Sequence, residues 1–377
     1  MKKPFFRRFT KKVFVTTNII TAVLFIVGAN VKYFEPAHWW FLSLFTLLLP
    51  YLLLVLVLFF VFWLLAKSLW SIVSLLAILT SLHAVRNVFP LHAEPDFVMA
   101  KKIGDIRVMS WNVELFNILH HKDEPQNKQQ MIDLINKYNP DIACFQEMVA
   151  GENKEGINYF PDIKKKLKFK DYLYSYRVID DFDRYHHFGI IVFSKFPVIR
   201  KQTLVSNPNS YNSTFQFIDI LAGKDTFRIF NIHLQSLKFS KDNLNYLDSG
   251  KVPAQGNISE SKNIISKIKM GVIKRAAQAD FIKDEMNHSP FPVIVCGDFN
   301  DVPVSYAYET IGKGLQNAFV EKGSGISRTF SSISPTLRID NIFTDKRFKI
   351  IQYKRIKQLL SDHFPIVADI RYSPPKQ

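Results

Sequence analysis

PVIVCGDFNDVP, residues 292–303, begins as an apolar run and stops on polar residues. Val293, Ile294, Val295 and Cys296 have the β-branched, apolar character of a buried strand. Asp298, Asn300 and Asp301 follow at once. A core does not choose such an ending, because unpaired buried charge is costly. The same pattern recurs along the chain. Asn112 ends the run 106–113, Glu147 ends 141–147 and His233 lies near the end of 227–234. Asp340 opens 338–344, and Asp362 and His363 stand just before 365–372. Further apolar runs at 189–194 and 215–222 complete a set of short strands, and Gly223-Lys224-Asp225-Thr226 marks a hairpin. Asn127 to Tyr138 and Lys262 to Met286 carry helical spacing, while 238–260 reads as a polar surface loop.

Taken singly, each strand-end Asn or Asp has a plain explanation as a turn or cap, and each His as a satisfied half-core residue. Together, three kinds of oxygen or imidazole donor at one kind of position are a chemical kit. Carboxylate and amide oxygens without thiolates suit Mg²⁺ or Mn²⁺ better than zinc. Imidazoles can stabilise charge or shuttle protons near neutral pH. A metal, imidazoles and a carboxylate base are what water needs to attack a phosphate ester. Competing kits are absent: the sequence has no HExxH, GxSxG, GxxxxGK[ST] or GxGxxG.

The ordered set SWNVELFN (110–117), PDIACFQEM (140–148), FNIHLQS (230–236), CGDFNDVP (296–303), RIDNIFT (338–344) and SDHFPI (361–366) resembles the endonuclease/exonuclease/phosphatase superfamily. That superfamily includes deoxyribonuclease I, abasic-site endonucleases, neutral sphingomyelinases and inositol polyphosphate 5-phosphatases. The resemblance runs from about residue 105 to 372 and implies a four-layer α/β sandwich of two facing sheets flanked by helices. It implies roles as well. Glu147 matches the principal metal-binding Glu, with Asn112 beside it and Asp362 at the same site. Asp298 matches the residue that orients or deprotonates the attacking water, and Asn300 holds phosphate or water. His363 matches the His facing the scissile phosphate, with Asp340 orienting it. His233 matches the second His of the deoxyribonuclease and sphingomyelinase branches and argues against the abasic-site branch. Arg184, His187 and Arg338 are the candidates for substrate contact, although a solvated loop is the preferred reading of the first two and Arg338 could simply pair with acids. A non-catalytic binding protein of the same fold is the rival class. Loss of Glu147, Asp298 or His363 would have favoured it, and all three are present.

The chain has 377 residues, and its composition is split. Glu35 and Glu94 are the only acids before Asp96, whereas Phe is abundant there. Two Cys residues, Cys144 and Cys296, exclude a disulfide scaffold and a Cys-rich zinc site; both read as buried free thiols. The net charge of +16 is dispersed apart from Lys2, Lys3, Arg7, Arg8, Lys11 and Lys12, so it says little about nucleic acid. Nineteen uncharged residues separate Lys12 from Lys32, and 31 separate Glu35 from Lys67. These lengths suit a bilayer. The reading is a basic cytoplasmic N-terminus (1–12), a transmembrane region (13–88, spans at 13–31, 41–66 and 68–85), a linker (89–104) and a catalytic domain (105–373). With basic residues inside, three spans place the domain outside the cytoplasm and two leave it inside. The expected partners are a phosphoester substrate, as nucleic acid or phospholipid head group, and the bilayer itself. The expected activity is hydrolysis of a phosphodiester of nuclease type, with lipid phosphodiesters or phosphomonoesters as alternatives.

Overall fold

The long uncharged runs of the first ninety residues become helices. In the computed structural model α1 spans Lys3–Ala29, α2 Ser43–Leu65, α3 Ser71–Thr80 and α4 Leu82–Val88. The structure describes residues 3–93, 96–120, 122–151, 156–181, 183–237 and 258–373; the loop expected at 238–260 lies almost wholly outside them. Two helical stretches, Phe6–Ala29 and Pro36–Leu65, are long and apolar enough to cross a membrane. The third expected span, 68–85, is not one rod, because α3 and α4 meet at 76°. Thr80 turns its hydroxyl back onto the Leu76 and Ala77 carbonyls, and Ser81 leaves helical geometry at φ −114°, ψ 25°. Gly28 lets α1 and α2 touch: a Cβ there would sit 3.0 Å from the Phe45 carbonyl oxygen. Buried Asn18 is satisfied inside the bundle by the Trp70 carbonyl at 3.2 Å and Ser74 Oγ at 2.7 Å.

Beyond residue 104, alternation sets the layers. Along β1 (Asp105–Asn112), Ile106 and Val108 face the gap between two sheets, while Met109 and Trp111 face helices. The first sheet adds β2 (Ile142–Ala150), β3 (Asp171–Tyr176), β4 (His187–Ser194), β11 (Phe348–Arg355) and β12 (Ile366–Tyr372), in the order β11-β12-β1-β2-β4-β3. The second contains β5 (Val198–Val205), β6 (Thr214–Ala222), β7 (Asp225–His233), β8 (Val293–Asp298), β9 (Leu315–Asn317) and β10 (Asp340–Asp345), in the order β5-β6-β7-β8-β10-β9. Cys144 and Cys296 lie in the inter-sheet core as buried free thiols. Helices α5 (Asn127–Tyr138) and α6 (Phe160–Lys166) cover the first sheet. Helices α7 (Ile258–Asn287) and α8 (Tyr306–Gly312) cover the second, and a short α9 (Ala318–Lys322) follows. The result is the expected four-layer sandwich.

The N-terminal helices are packed onto this sandwich. Glu309 of α8 is 3.0 Å from Lys32 and 2.6 Å from His83. Tyr308 donates to Asn87 Oδ1 at 2.7 Å, and Tyr51 of α2 meets Ser334 at 2.9 Å. The linker is strapped down rather than loose. Gly325 N donates to the Pro90 carbonyl at 2.9 Å, and Arg107 donates to the Val98 and Met99 carbonyls at 3.0 Å each. Arg107 also forks onto Asp369 at 2.7 and 2.8 Å, a satisfied buried ion pair joining β1 to β12.

Candidate active site

Register brings three polar residues abreast on the second sheet. His233 of β7 pairs with Asp298 of β8, and Asp298 pairs with Asp340 of β10. Close approach of β7 and β8 depends on Gly297, where a Cβ would lie 1.9 Å from the Ile232 carbonyl oxygen. At the same end of the first sheet stands Asn112, in register with Gln146 on β2. Simple alternation would send Gln146 and Glu147 to opposite faces. A bulge between Phe145 and Met148, with Glu147 at φ +52°, changes the aim of that carboxylate. Gln146 then reaches across the sheets to Asn231 at 2.7 Å, and Glu147 Oε1 comes within 3.6 Å of His233 Nε2.

Asp298 is the hub. Its Oδ2 accepts from Asn112 Nδ2 at 3.1 Å and from Asn300 Nδ2 at 3.3 Å, and its Oδ1 accepts from the Asn300 backbone at 2.8 Å. The same Oδ2 lies 3.6 Å from His233 Nε2 and 3.7 Å from His363 Nε2. His363 Nδ1 is hydrogen-bonded to Asp340 Oδ2 at 2.9 Å. Ser361 Oγ fixes the approach of the Asp362-His363 loop by donating to the Asn112 carbonyl at 2.7 Å. Asp298, Asp340, His233, His363 and Asn112 are buried, whereas Glu147, Asn300 and Asp362 are partly open to solvent.

The environments drive the two imidazoles apart. Burial pulls His233 down to about 4, Asp298 opposes this, and the nearby His363 adds to it. Neither ring nitrogen of His233 has a hydrogen-bond partner among the described residues. For His363 burial also disfavours charge, but Asp340, Asp298 and Asp362 outweigh it and hold its pKa well above the ordinary value. The two environments thus favour the neutral form of one buried imidazole and the charged form of its neighbour.

The carboxylates crowd one another. Burial pushes Asp362 up to about 7, with Glu114, Glu147 and Asp298 adding to the rise and His363 opposing it. Glu147 is raised by burial, relieved by its hydrogen bond from Asn112 and by His363, and raised further by Asp298 and Glu114. Such mutual repulsion among oxygen donors, beside an imidazole with two orphaned nitrogens, fits a hard divalent cation. Among the described residues, the one group of three or more His, Cys, Asp or Glu donors whose atoms all lie within 4.8 Å of one another is Asp298, Asp340 and His363. There the His363–Asp340 hydrogen bond joins two of the three and fixes the orientation of the imidazole.

Glu114 was not singled out by its sequence position, although its carboxylate accepts from the Asp362 backbone at 2.9 Å. The available signal was its place two residues after Asn112, in a turn whose residues 114–117 all have positive φ. Tyr211, whose pKa is raised by burial and by Glu147, also escaped notice. His187 pairs with Ala150, three residues beyond Glu147, stacks on Tyr176 at 4.0 Å and bonds Asp181 at 2.7 Å. Arg184 lies exposed against Tyr185. Arg338 does not join the cluster. It is buried, donates to the Asn87 carbonyl and sits 4.1 Å over the Phe319 ring, so its contacts are with α4 and α9 and not with the polar cluster.

Fold and site together define an α/β-sandwich protein with polar chemistry gathered at one end of two facing sheets. Residues 109–363 match the Endonuclease/Exonuclease/phosphatase family, and the chain belongs to that family. Its members are in general hydrolases of phosphate esters and in general use divalent metals. Residues 11–88 match a family described as Domain of unknown function (DUF8431). Among solved structures, the chain is similar to an endonuclease/exonuclease/phosphatase family protein from Bacteroides thetaiotaomicron: 18% identity, TM-score 0.52, covering 72% of this chain and 98% of that one. A second from Bacteroides vulgatus has 20% identity, TM-score 0.52 and coverage of 71% and 99%. A third from Beutenbergia cavernae has 17% identity, TM-score 0.52 and coverage of 71% and 72%. These likenesses show the fold. No curated protein matches the chain.

Proposed function

We propose that the chain is a membrane-anchored, divalent-metal-dependent phosphodiesterase of nuclease type that hydrolyses its substrate with water. The observation that carries this reading is the alignment of His233, Asp298 and Asp340 across three strands, facing Asn112 and Glu147 on the other sheet. Glu147 and Asp362, with Asn112 and Glu114 beside them, would hold Mg²⁺ or Mn²⁺. When bound, the ion supplies Lewis-acid stabilisation of charge on the phosphate oxygens. Asp298, held by Asn112 and the Asn300 backbone, orients the attacking water and accepts its proton at Oδ2. His363, charged and fixed through Nδ1 by Asp340, presents Nε2–H to the oxyanion that develops. Neutral His233 positions phosphate or water, and Asn300, whose Nδ2 donates to the Leu234 carbonyl and to Asp298 Oδ2, holds Asp298 in place beside them. Arg184 and His187, on the rim beyond Glu147, contact the remainder of the substrate.

The panel that tests this uses full-length protein with DNA, RNA, phospholipid vesicles, phosphoinositides and p-nitrophenyl phosphates, before and after chelation. Hydrolysis should vanish with chelator and return with Mg²⁺ or Mn²⁺. Full activity after exhaustive chelation and dialysis would sink the metal assignment. One observation favours a second reading, a phospholipid phosphodiester. Phe330 bridges to His363, and Ser334 in the same loop meets Tyr51 of α2, so the site borders the anchor. Vesicle hydrolysis without nuclease activity would select that reading.

The domain faces away from the basic N-terminus. Glu309 grips Lys32, which terminates the uncharged run of α1 at the end opposite Lys3. Basic residues favour the cytoplasm, so the catalytic domain (105–373) lies outside it.

A further inference from the structure

A wide cleft of about 1250 Å³ separates the anchor from the edge of the second sheet. It is distinct from the acid–imidazole cluster. One wall is the turn after α1 and helix α4, with Lys32, Tyr33 and Arg86. The other is formed by α7, α8, β9 and the turn after β10, with Lys283, Lys313 and Lys346. Three acids also line it, but two are engaged: Glu309 with Lys32 and His83, and Asp280 by accepting from Tyr306 at 3.0 Å. Arg86, Lys283, Lys313 and Lys346 have no ion pair among the described residues, and Asp280 and Glu321 offset these four cations only in part. Lys283 Nζ donates to the Lys313 carbonyl, so the two cationic residues are neighbours. Burial and the charge of Lys313 together lower the Lys283 pKa. Like charges held this close favour an anion between them.

Depth identifies the anion. Lys32 follows directly on the 19-residue uncharged run, so the floor of the cleft lies where a bilayer's headgroups lie. Tyr33, 74% exposed, and Leu82, 48% exposed, border the same mouth and suit that interfacial zone. We propose that this cleft binds the phosphate of an anionic phospholipid headgroup, with Lys283, Lys313 and Lys346 as its cationic side. The bound lipid would bridge anchor and catalytic domain and hold the domain against the bilayer. This inference rests on the anchor lying in a membrane, not on the catalytic assignment.

The test uses the full-length chain in neutral detergent and native mass spectrometry, with phosphatidylglycerol, phosphatidylcholine or inorganic phosphate added. Phosphatidylglycerol should give bound adducts and raise Tm, whereas phosphatidylcholine should do neither. The K283A/K313A/K346A variant should bind phosphatidylglycerol about tenfold more weakly or worse, with catalytic turnover unchanged. K164A/K165A/K166A, which removes the same charge from α6, should bind as the parent does. Equal phosphatidylglycerol binding by both variants would overturn the site. A Tm rise with inorganic phosphate that phosphatidylglycerol does not exceed would overturn the lipid as its occupant. If the cleft variant is misfolded, shown by a lowered Tm without lipid, K313E alone, at an exposed position, replaces it with the same expected loss.

Discussion

Asp298 and His363 are tied into one unit by their neighbours, and that makes their roles separable by mutation. Asp298→Asn keeps the hydrogen-bonding shape but removes the base, so kcat should fall by about 10²-fold or more with Tm little changed. A variant with near-parental turnover, or one that melts far earlier, would return Asp298 to a structural role. Asp340 is hydrogen-bonded to His363 Nδ1 at 2.9 Å, and the proposed mechanism gives it no role but to orient that ring. The double variant Asp340→Ala/His363→Ala should therefore be scarcely slower than His363→Ala alone. Multiplicative losses in kcat would mean that Asp340 acts separately, for instance on the ion.

Two elements carry constraints that reach the site from outside it. The β7–β8 pairing needs Gly297, since a methyl group would meet the Ile232 carbonyl oxygen at 1.9 Å. Gly297→Ala should destabilise by about 3 kcal/mol or more and also displace Asp298, the next residue. An unaltered melting curve would show that the strands can part without cost. Helix α8 carries Glu309, which burial would raise but which His83 and Lys32 hold below the ordinary Glu value of 4.5. A depressed carboxyl pKa contributes stability above the unfolded value, and that contribution is lost as pH falls through the lower folded value. Glu309→Gln should lower Tm in detergent at pH 7 by the equivalent of about 1–2 kcal/mol. The difference from the parent should persist to about pH 4.5 and shrink only below it. A gap that closes already between pH 7 and 6 would assign the effect to another group.

At the scale of the molecule, the domain sits at the Lys32 end of α1 whether or not α3 and α4 cross the bilayer. A broken third segment is therefore compatible with the export proposed above. Reporters fused after Gln377 should be active only in export form, with the N-terminus cytoplasmic. A silent export reporter and a bright cytoplasmic one at that junction would place the enzyme inside.

Much of this was legible in the residues. All eight strand runs read from the sequence occur, and α5 spans Asn127–Tyr138 as expected, because alternation and helical spacing are local patterns. The strands that escaped, β3, β5, β9 and β11, lie toward sheet edges or carry polar and charged faces, where hydrophobic alternation weakens. The donor set was likewise written in order along the chain, since each donor is local to a strand end. What tertiary structure alone decided is which donors meet and which way each points. Register put His233, Asp298 and Asp340 side by side, and a bulge re-aimed Glu147. The N-terminal helices took Arg338, which is two residues from Asp340 in sequence but is bound to Asn87. Register, bulges and docking depend on contacts between residues far apart in the chain, so no local pattern contains them.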